Sequence, residues 1–516
     1  MTHSIDSFIT DSANSATALY SGHKSSVNAL GVYADSSEDP FDDPKFESIL
    51  EMFSRLLGGK LGIVSTAYIA DATPAAFTAH TRDRGEYGAV VDSFIHGIVN
   101  YTWTEWPGYD VIFGGKCINC TFESYRKLTK PGGAEQFCDP EDGGETYQNL
   151  NYYDVFSEAG YSLVSNNTEL QAASDSDRTL GIFSVSNMEK WLDRNVYTDN
   201  LVGAENSPDC RGTDALDQPG LKEMTLKAID ILDTRAKADG DNGWFLMSEA
   251  ASIDKQMHAL DYDRALGELL ELDDTIKASL EHLKEIGELE NTLVVVTADH
   301  GHGFDVFGNY DTKYGSAQTD DRSKRRAVGT YQESGQSQYT RTGNLRYSDS
   351  FFPSNWDPRY TLAQGFGAHP DIRENYQVHR DGPRAAADNI TGFPSNDYFV
   401  NPEDNPNGFI TNGTLPTSAD QGVHSLTDVP VFAQGPCQEL FGGVYNSIDI
   451  FYHMAECLGL SRTSAGGDDD GSDKGKGPGG KGGHGKGPGN GKYHGRPGYK
   501  QYGPKQPFYK KKNPPQ

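Results

Sequence analysis

Three short stretches of this chain place acid, histidine and serine side chains where they could hold metal ions and attack an electrophile. In SEAASIDKQMH, Asp254 and His258 stand at i and i+4, so on a helix both project from one face, with Glu249 ending the run before it. That set suits a hard-to-borderline divalent cation, and it also suits a capped, solvated helix start. In VVVTADHGH, Asp299 and His300 follow a β-branched strand and would emerge at its C-terminal end, either as a ligand pair or as a turn in which Asp299 is a cap. Two acid–histidine pairs at neighbouring strand ends together point to two metals. In ITDSANSATALYSGHK, Ser12 falls between a strand-like end and an Ala-rich helix, so its hydroxyl sits at a helix N-terminus, where developing negative charge is favoured. Asp11 or Ser12 would also serve simply as an N-cap. Beside two metals, Ser12 becomes a candidate nucleophile, because a metal lowers a hydroxyl pKa as an adjacent base does.

The elements that must carry these residues share one pattern, an apolar run followed at once by polar residues and a helix-like stretch. It recurs in KLGIVST before DATPAAFTAH, in GWFLMSEA before SIDKQMHALDYDRALGELLELDD, and in NTLVVVTADHGH. The pattern predicts buried parallel strands in an α/β fold with a central, mostly parallel sheet flanked by helices. In such sheets ligands bind outside the C-terminal strand ends. Apolar residues at three- and four-residue spacing in DRALGELLELDDTIKASLEHLKEIG predict a crossover helix that stops at Gly287. DVPVFAQGP reads as a strand and SIDIFYHMAECLGL as the last helix. Between them and the metal-site strand, residues 304–421 form a long polar stretch rich in Gly, Asn, Asp, Arg and Tyr, the signature of a functional insertion or a small subdomain.

With 45 Lys plus Arg against 74 Asp plus Glu, the 516-residue chain carries a formal charge of −29, which argues against nucleic acid as the main partner. The charge is divided: residues 461–516 hold 12 Lys plus Arg and 4 Asp, a net of +8, leaving −37 for residues 1–460. That tail is Gly-, Lys- and Pro-rich with almost nothing apolar to bury, so disorder is expected, its lysines simply solvated or, as the alternative, in contact with polyanions or cell wall. No run is long and apolar enough for a membrane span, and the first ten residues do not read as a signal peptide. The sequons at Asn100, Asn119, Asn166, Asn389 and Asn412 and the six cysteines fit a secreted glycoprotein. Cys437 with Cys457 is a guessed disulfide, and the lone Cys117-x-x-Cys120 pair is a poor metal site.

The blocks TDSANSATA (10–18), VSTAYIADATPAA (64–76) with His80 and Arg84 following, SEAASIDKQMH (248–258), TADHGH (297–302) and VHSLTDVPVFAQGP (423–436) resemble the metal-dependent alkaline phosphatases, in the family's order over about 420 residues. The insertion and tail are most similar to fungal members. The resemblance implies phosphate monoester hydrolysis through a phosphoserine, with Ser12 as nucleophile and Arg84 gripping two phosphate oxygens. It implies two zinc ions, one on Asp254, His258 and His424 and the other on Asp299 and His300, and one magnesium on Thr73 and Glu249. Asp71 and Lys255 match a bacterial-type pair near the magnesium and phosphate. An alkaline optimum, a homodimer and a crown-like insertion over the site follow from the same resemblance.

In the family, a first core strand ending in a DGMG-like turn supplies a carboxylate between the second zinc and the magnesium. Ser12 lies 11 residues from the start of this chain, so that strand and carboxylate are expected to be lacking, and Asp6 does not match. The chain then reads as part of a longer secreted enzyme or as a degenerate relative. A secreted non-catalytic relative that binds phosphate esters or polyanions is the alternative of a different class. Phosphodiester hydrolysis is the runner-up among enzymes, and a sulfatase is disfavoured because Ser12 is followed by Ala-Asn-Ser rather than a C/S-x-P-x-R pattern.

Overall fold

The computed structural model describes most of residues 2–115 and 150–308, without 203–213, together with 422–460 and the backbone of short strands between 361 and 411. The chain divides into Met1–Arg462 and Thr463–Gln516. The second unit, and with it the expected tail, lies outside the described residues, as does most of the 304–421 insertion.

Five parallel strands build the main sheet in the order β3-β4-β2-β1-β5: β1 (Lys60–Tyr68), β2 (Val111–Gly115), β3 (Tyr161–Val164), β4 (Arg178–Ile182) and β5 (Trp244–Glu249). The α/β fold expected from the sequence is therefore present. β1 lies inside the sheet with its seven central residues buried. Because side chains alternate along a strand, Ile63 and Ile112 join one apolar cluster with Tyr20 and Phe77, while Val64, Val111 and Phe113 join a second with Leu232 on the opposite face.

Helices α1 (Ser12–Ser21), α2 (Ile49–Leu57), α3 (Ala72–Ala75) and α4 (Tyr87–His96) precede β2, and α5 (Leu221–Ala238) packs on β1 and β5. After β5 come α6 (Ser252–His258) and the predicted crossover helix α7 (Tyr262–Glu285), which stops before Gly287 and packs on α5. β6 (Val294–Thr297), β7 (Gly301–His302), β8 (His424–Ser425), β9 (Val431–Gln434) and α8 (Ser447–Cys457) complete the described body, β7 pairing antiparallel with β8. Cys437 and Cys457 form a disulfide with Cα atoms 5.8 Å apart, the pairing guessed from the sequence. It ties the end of α8, which packs on α1, to the turn after β9.

Two strands depart from the expectation of buried, parallel placement. β5 stands at the sheet edge and its six residues are only half-buried. β6 pairs antiparallel with β9 and is likewise half-buried. Among the described residues each has one ladder neighbour, so its second edge and flanking side chains keep partial access to solvent.

Where α5 crosses β1 the two elements touch at Gly62. A Cβ there would lie 2.8 Å from Leu232 Cδ1 and 3.0 Å from Leu246 Cδ1, inside van der Waals contact. Gly62→Val is expected to lower stability by about 1–3 kcal/mol through overpacking, read as a shift of the urea unfolding midpoint. An unchanged midpoint would mean that this crossing has slack.

Candidate active site

Beyond the C-terminal ends of β1, β5 and β6 the chain gathers its acids and histidines. α6 presents Asp254 and His258 from one face, as the i, i+4 spacing requires, and the short β7–β8 ladder sets His302 directly opposite His424. One ligand atom from each of these four residues lies within 4.8 Å of the others. His258 Nδ1 donates to the Gly422 carbonyl oxygen and His424 Nδ1 to that of Thr10, both at 2.7 Å. A carbonyl only accepts, so each Nδ1 carries a proton, and a ring that holds no second proton offers its Nε2 lone pair. The two Nε2 atoms nevertheless face each other at 3.0 Å. Asp254 Oδ1 stands 3.3 Å from His424 Nε2 and 3.4 Å from His258 Nε2, buried and accepting no hydrogen bond.

With one proton on each ring, electron pairs converge here, an arrangement that a bound cation satisfies. Burial pushes the Asp254 carboxyl up, but the neighbouring histidines, His424 first, outweigh it and hold Asp254 ionised well below the usual carboxylate range. Burial pulls His302 down to about 4 and His258 below its ordinary value, whereas at His424 the Asp254 carboxylate and the Thr10 carbonyl outweigh burial and hold it above. A carboxylate with three imidazoles, whose ring protons a cation would displace, is a zinc-type donor set.

Ser12 is the first residue of α1, and Asp11 is its N-cap, accepting from the amides of Ala13 and Asn14, each at 3.2 Å. The two readings of this stretch are thus compatible: Asp11 caps, and Ser12 stays available. Ser12 Oγ lies 3.1 Å from His300 Nε2, which is 3.2 Å from Asp299 Oδ2. His300 stacks on His424 with ring centroids 3.6 Å apart, so the Ser12 region and the four-donor cluster are continuous. Ser15 Oγ donates to the Asp299 carbonyl oxygen and fastens α1 to the end of β6.

On the other flank Arg84 donates to Asp71 Oδ1 at 2.6 Å and to Asp11 Oδ2 at 3.2 Å, while Lys255 Nζ donates to Asp71 Oδ2 at 2.6 Å. Burial raises the Asp71 pKa, yet Lys255 and Arg84 outweigh it and hold the carboxyl below its ordinary value. Glu249, at the end of β5, accepts from Ser65 at 2.6 Å, and Thr73 lies close enough to favour its ionised form. Burial pushes Glu249 up to about 7, and Asp71 and Asp299 add repulsion. A half-buried acid so raised, with a threonine nearby, suits a hard cation such as magnesium.

The sequence profile described as Alkaline phosphatase matches residues 1–460. The chain belongs to the alkaline phosphatase family. It is 35% identical over 315 residues to the alkaline phosphatase of Escherichia coli K12, which covers 59% of this chain and 60% of that one. It is 35% identical over 309 residues to alkaline phosphatase H of Pseudomonas aeruginosa, 58% of this chain and 59% of that one. The chain thus spans about three fifths of these relatives' length. Against the alkaline phosphatase of Gadus morhua the match is 26% identical over 475 residues, 89% of this chain and 83% of the relative. Of solved structures, the Thermus thermophilus alkaline phosphatase superposes with a TM-score of 0.52 at 19% identity, covering 89% of this chain and 82% of that one. A TAB5 alkaline phosphatase variant with magnesium bound gives 0.50 at 19% identity, covering 89% and 87%. These likenesses show the fold.

All eleven residues singled out from the sequence fall around this one region, each beside at least one other. Two further residues belong with them. His302, two residues after His300 and near the same strand end, is one that the sequence reading does not include; both its ring nitrogens are buried and make no hydrogen bond, with Nε2 3.7 Å from Asp254 Oδ1. Asp11, a cap in the sequence reading, also anchors Arg84 through Oδ2, the oxygen that accepts from the Ala13 amide. Asp6 stays apart, accepting from Ser4 Oγ at 2.7 Å and from the Val27 amide at 3.1 Å. His302→Ala and Asp254→Asn are each expected to weaken zinc binding by about 10- to 100-fold or more, measured by competition with a chromophoric chelator. Unchanged affinity in both variants would mean that the four donors hold no zinc.

Proposed function

We propose that this chain hydrolyses phosphate monoesters through a phosphoserine on Ser12, at a site that takes two zinc ions and one magnesium. The observation that carries this reading is the contact of Ser12 Oγ with His300, whose ring stacks on His424. Nucleophile and cation donors form one connected set. Asp254, His258 and His424 would hold one zinc with His302 in reach, Asp299 and His300 the other, and Thr73 with Glu249 the magnesium. When bound, such cations supply Lewis acidity, lowering the pKa of a hydroxyl and neutralising charge on phosphate oxygens.

Ser12 Oγ attacks phosphorus in line; the ester P–O bond breaks and the alcohol leaves. Water then cleaves the phosphoserine, releasing inorganic phosphate and restoring the Ser12 hydroxyl. Arg84 grips two nonbridging oxygens throughout, a task that its planar fork fits better than an ammonium would. Asp11 and Asp71 keep that fork aimed, and Lys255 balances the Asp71 charge on the phosphate side. The N-terminus of α1 adds its positive end beneath Ser12. Because Ser12 reacts as an alkoxide, turnover should rise toward alkaline pH.

The five sequons and the Cys437–Cys457 disulfide support a secreted glycoprotein. A homodimer follows the family resemblance, and no helix among the described residues is long and apolar enough to cross a membrane. The basic tail, if it meets anything, meets polyanions or cell wall.

The test is hydrolysis of 4-nitrophenyl phosphate against bis(4-nitrophenyl) phosphate at alkaline pH with zinc and magnesium supplied. Preference for the monoester is expected. Ser12→Ala should cost about 1000-fold or more in kcat, and Arg84→Ala about 100- to 1000-fold in kcat/KM. A Ser12→Ala variant with wild-type turnover would contradict the serine mechanism. A folded but inactive wild type that still binds phosphate would favour the non-catalytic binder.

A further inference from the structure

Arg84 reaches the site on a segment anchored by a buried charge pair that the catalytic reading leaves unused. His80 Nδ1 lies 2.9 Å from the Gly31 carbonyl oxygen and Nε2 lies 3.1 Å from Glu51 Oε1. The His80 and Glu51 side chains are only 3% and 4% exposed. Both partners of the ring are acceptors, so both nitrogens must carry protons and His80 is an imidazolium; a neutral ring would turn a lone pair toward one of them. Glu51 is itself held, accepting from the Ser48 amide at 2.8 Å and from Trp103 Nε1 at 3.1 Å. Burial pulls the His80 pKa down, but Glu51 and the Gly31 carbonyl outweigh it and hold it above the ordinary imidazole value. Lys45 is the other charged group facing the ring and opposes them, while the Trp103 ring covers it edge-on.

Residue 31 is shaped for this contact. Its φ is +59°, and a Cβ there would lie 2.6 Å from the Ala79 oxygen and 2.8 Å from His80 Nδ1, so only glycine lets the ring reach the carbonyl. From that point the two backbones run as an antiparallel pair toward the site. The Leu30 amide donates to Thr81 at 2.8 Å, the Thr81 amide to Leu30 at 3.0 Å, and the Arg84 amide to Asn28 at 2.9 Å.

We propose that His80 is a positioning residue for Arg84, its imidazolium clamping Gly31 to Glu51 of α2 and so fixing the ladder that delivers the guanidinium to phosphate. This rests on Arg84 being the phosphate grip. A histidine whose pKa is raised by folding contributes fully below the unfolded value and loses that contribution as pH rises through the folded one. The grip therefore loosens on the alkaline side, which favours release of inorganic phosphate.

A double-mutant cycle tests the coupling: inorganic phosphate is titrated calorimetrically into the full chain with zinc and magnesium, as wild type, His80→Gln, Arg84→Ala and the double variant. His80→Gln is expected to weaken phosphate binding about tenfold when Arg84 is present and by less than about twofold when it is absent. Equal losses in both backgrounds, or no loss, overturn the proposal. Glu51→Gln, which keeps an acceptor for Trp103, should move the alkaline weakening of phosphate binding to lower pH; an unmoved profile overturns the pH dependence. Ring nitrogen-15 NMR of the wild type at neutral pH should show both His80 nitrogens protonated, and a singly protonated ring removes the clamp whatever the binding data. A wild type that binds phosphate without hydrolysing esters sinks the proposed function alone, and the cycle still decides the clamp. A wild type that binds no phosphate overturns both.

Discussion

The site depends on lone pairs that have nowhere to go. The Nδ1 protons of His258 and His424 are committed to backbone carbonyls, so the neutral rings turn their Nε2 lone pairs toward one another and Asp254 Oδ1. Such an arrangement is repulsive by itself and becomes favourable around a cation. The carbonyls responsible come from residues 10 and 422, distant in sequence, so the tautomers are set by the fold and not by the helix that carries His258. What orients the donors also brings the Ser12 segment to them, since Thr10 lies two residues before Ser12.

A second constraint runs through Asp71. Its two carboxylate oxygens take Arg84 on one side and Lys255 on the other, joining the turn after β1 to α6. With Asp11 holding the second arm of the guanidinium, the proposed phosphate grip is fixed from the same residue that caps the helix of Ser12, the proposed nucleophile. In the proposed mechanism attack and grip therefore share one frame. Removing Asp71 would free two cations near Glu249, whose own ionisation burial already opposes.

Much of this could be read from residue order. The strand-then-helix pattern marked β1 and β5 with the residues that follow them, and i, i+4 spacing placed Asp254 and His258 on one face of α6. Other features could not be read because they rest on contacts distant in sequence. The Val-rich run of β6 has the composition of a buried parallel strand, yet its partner is β9, antiparallel, more than a hundred residues on. His302 enters the cluster because β7 pairs with β8, a register that nothing local to TADHGH specifies. Asp11 looks like any helix cap until Arg84 arrives from a different loop. His80 sits in a stretch that matches the family, but its partners, Gly31 and Glu51, are 49 and 29 residues away.

The central claim is that Ser12 becomes covalently phosphorylated during turnover. It is met most directly by quenching the metal-supplied chain in acid during hydrolysis of a monoester and mapping its peptides by mass spectrometry. The account predicts one added phosphoryl group on the peptide from the start of α1, localised to Ser12 and absent from Ser12→Ala. Steady hydrolysis with Ser12 unmodified, or phosphate trapped on another residue, would contradict it.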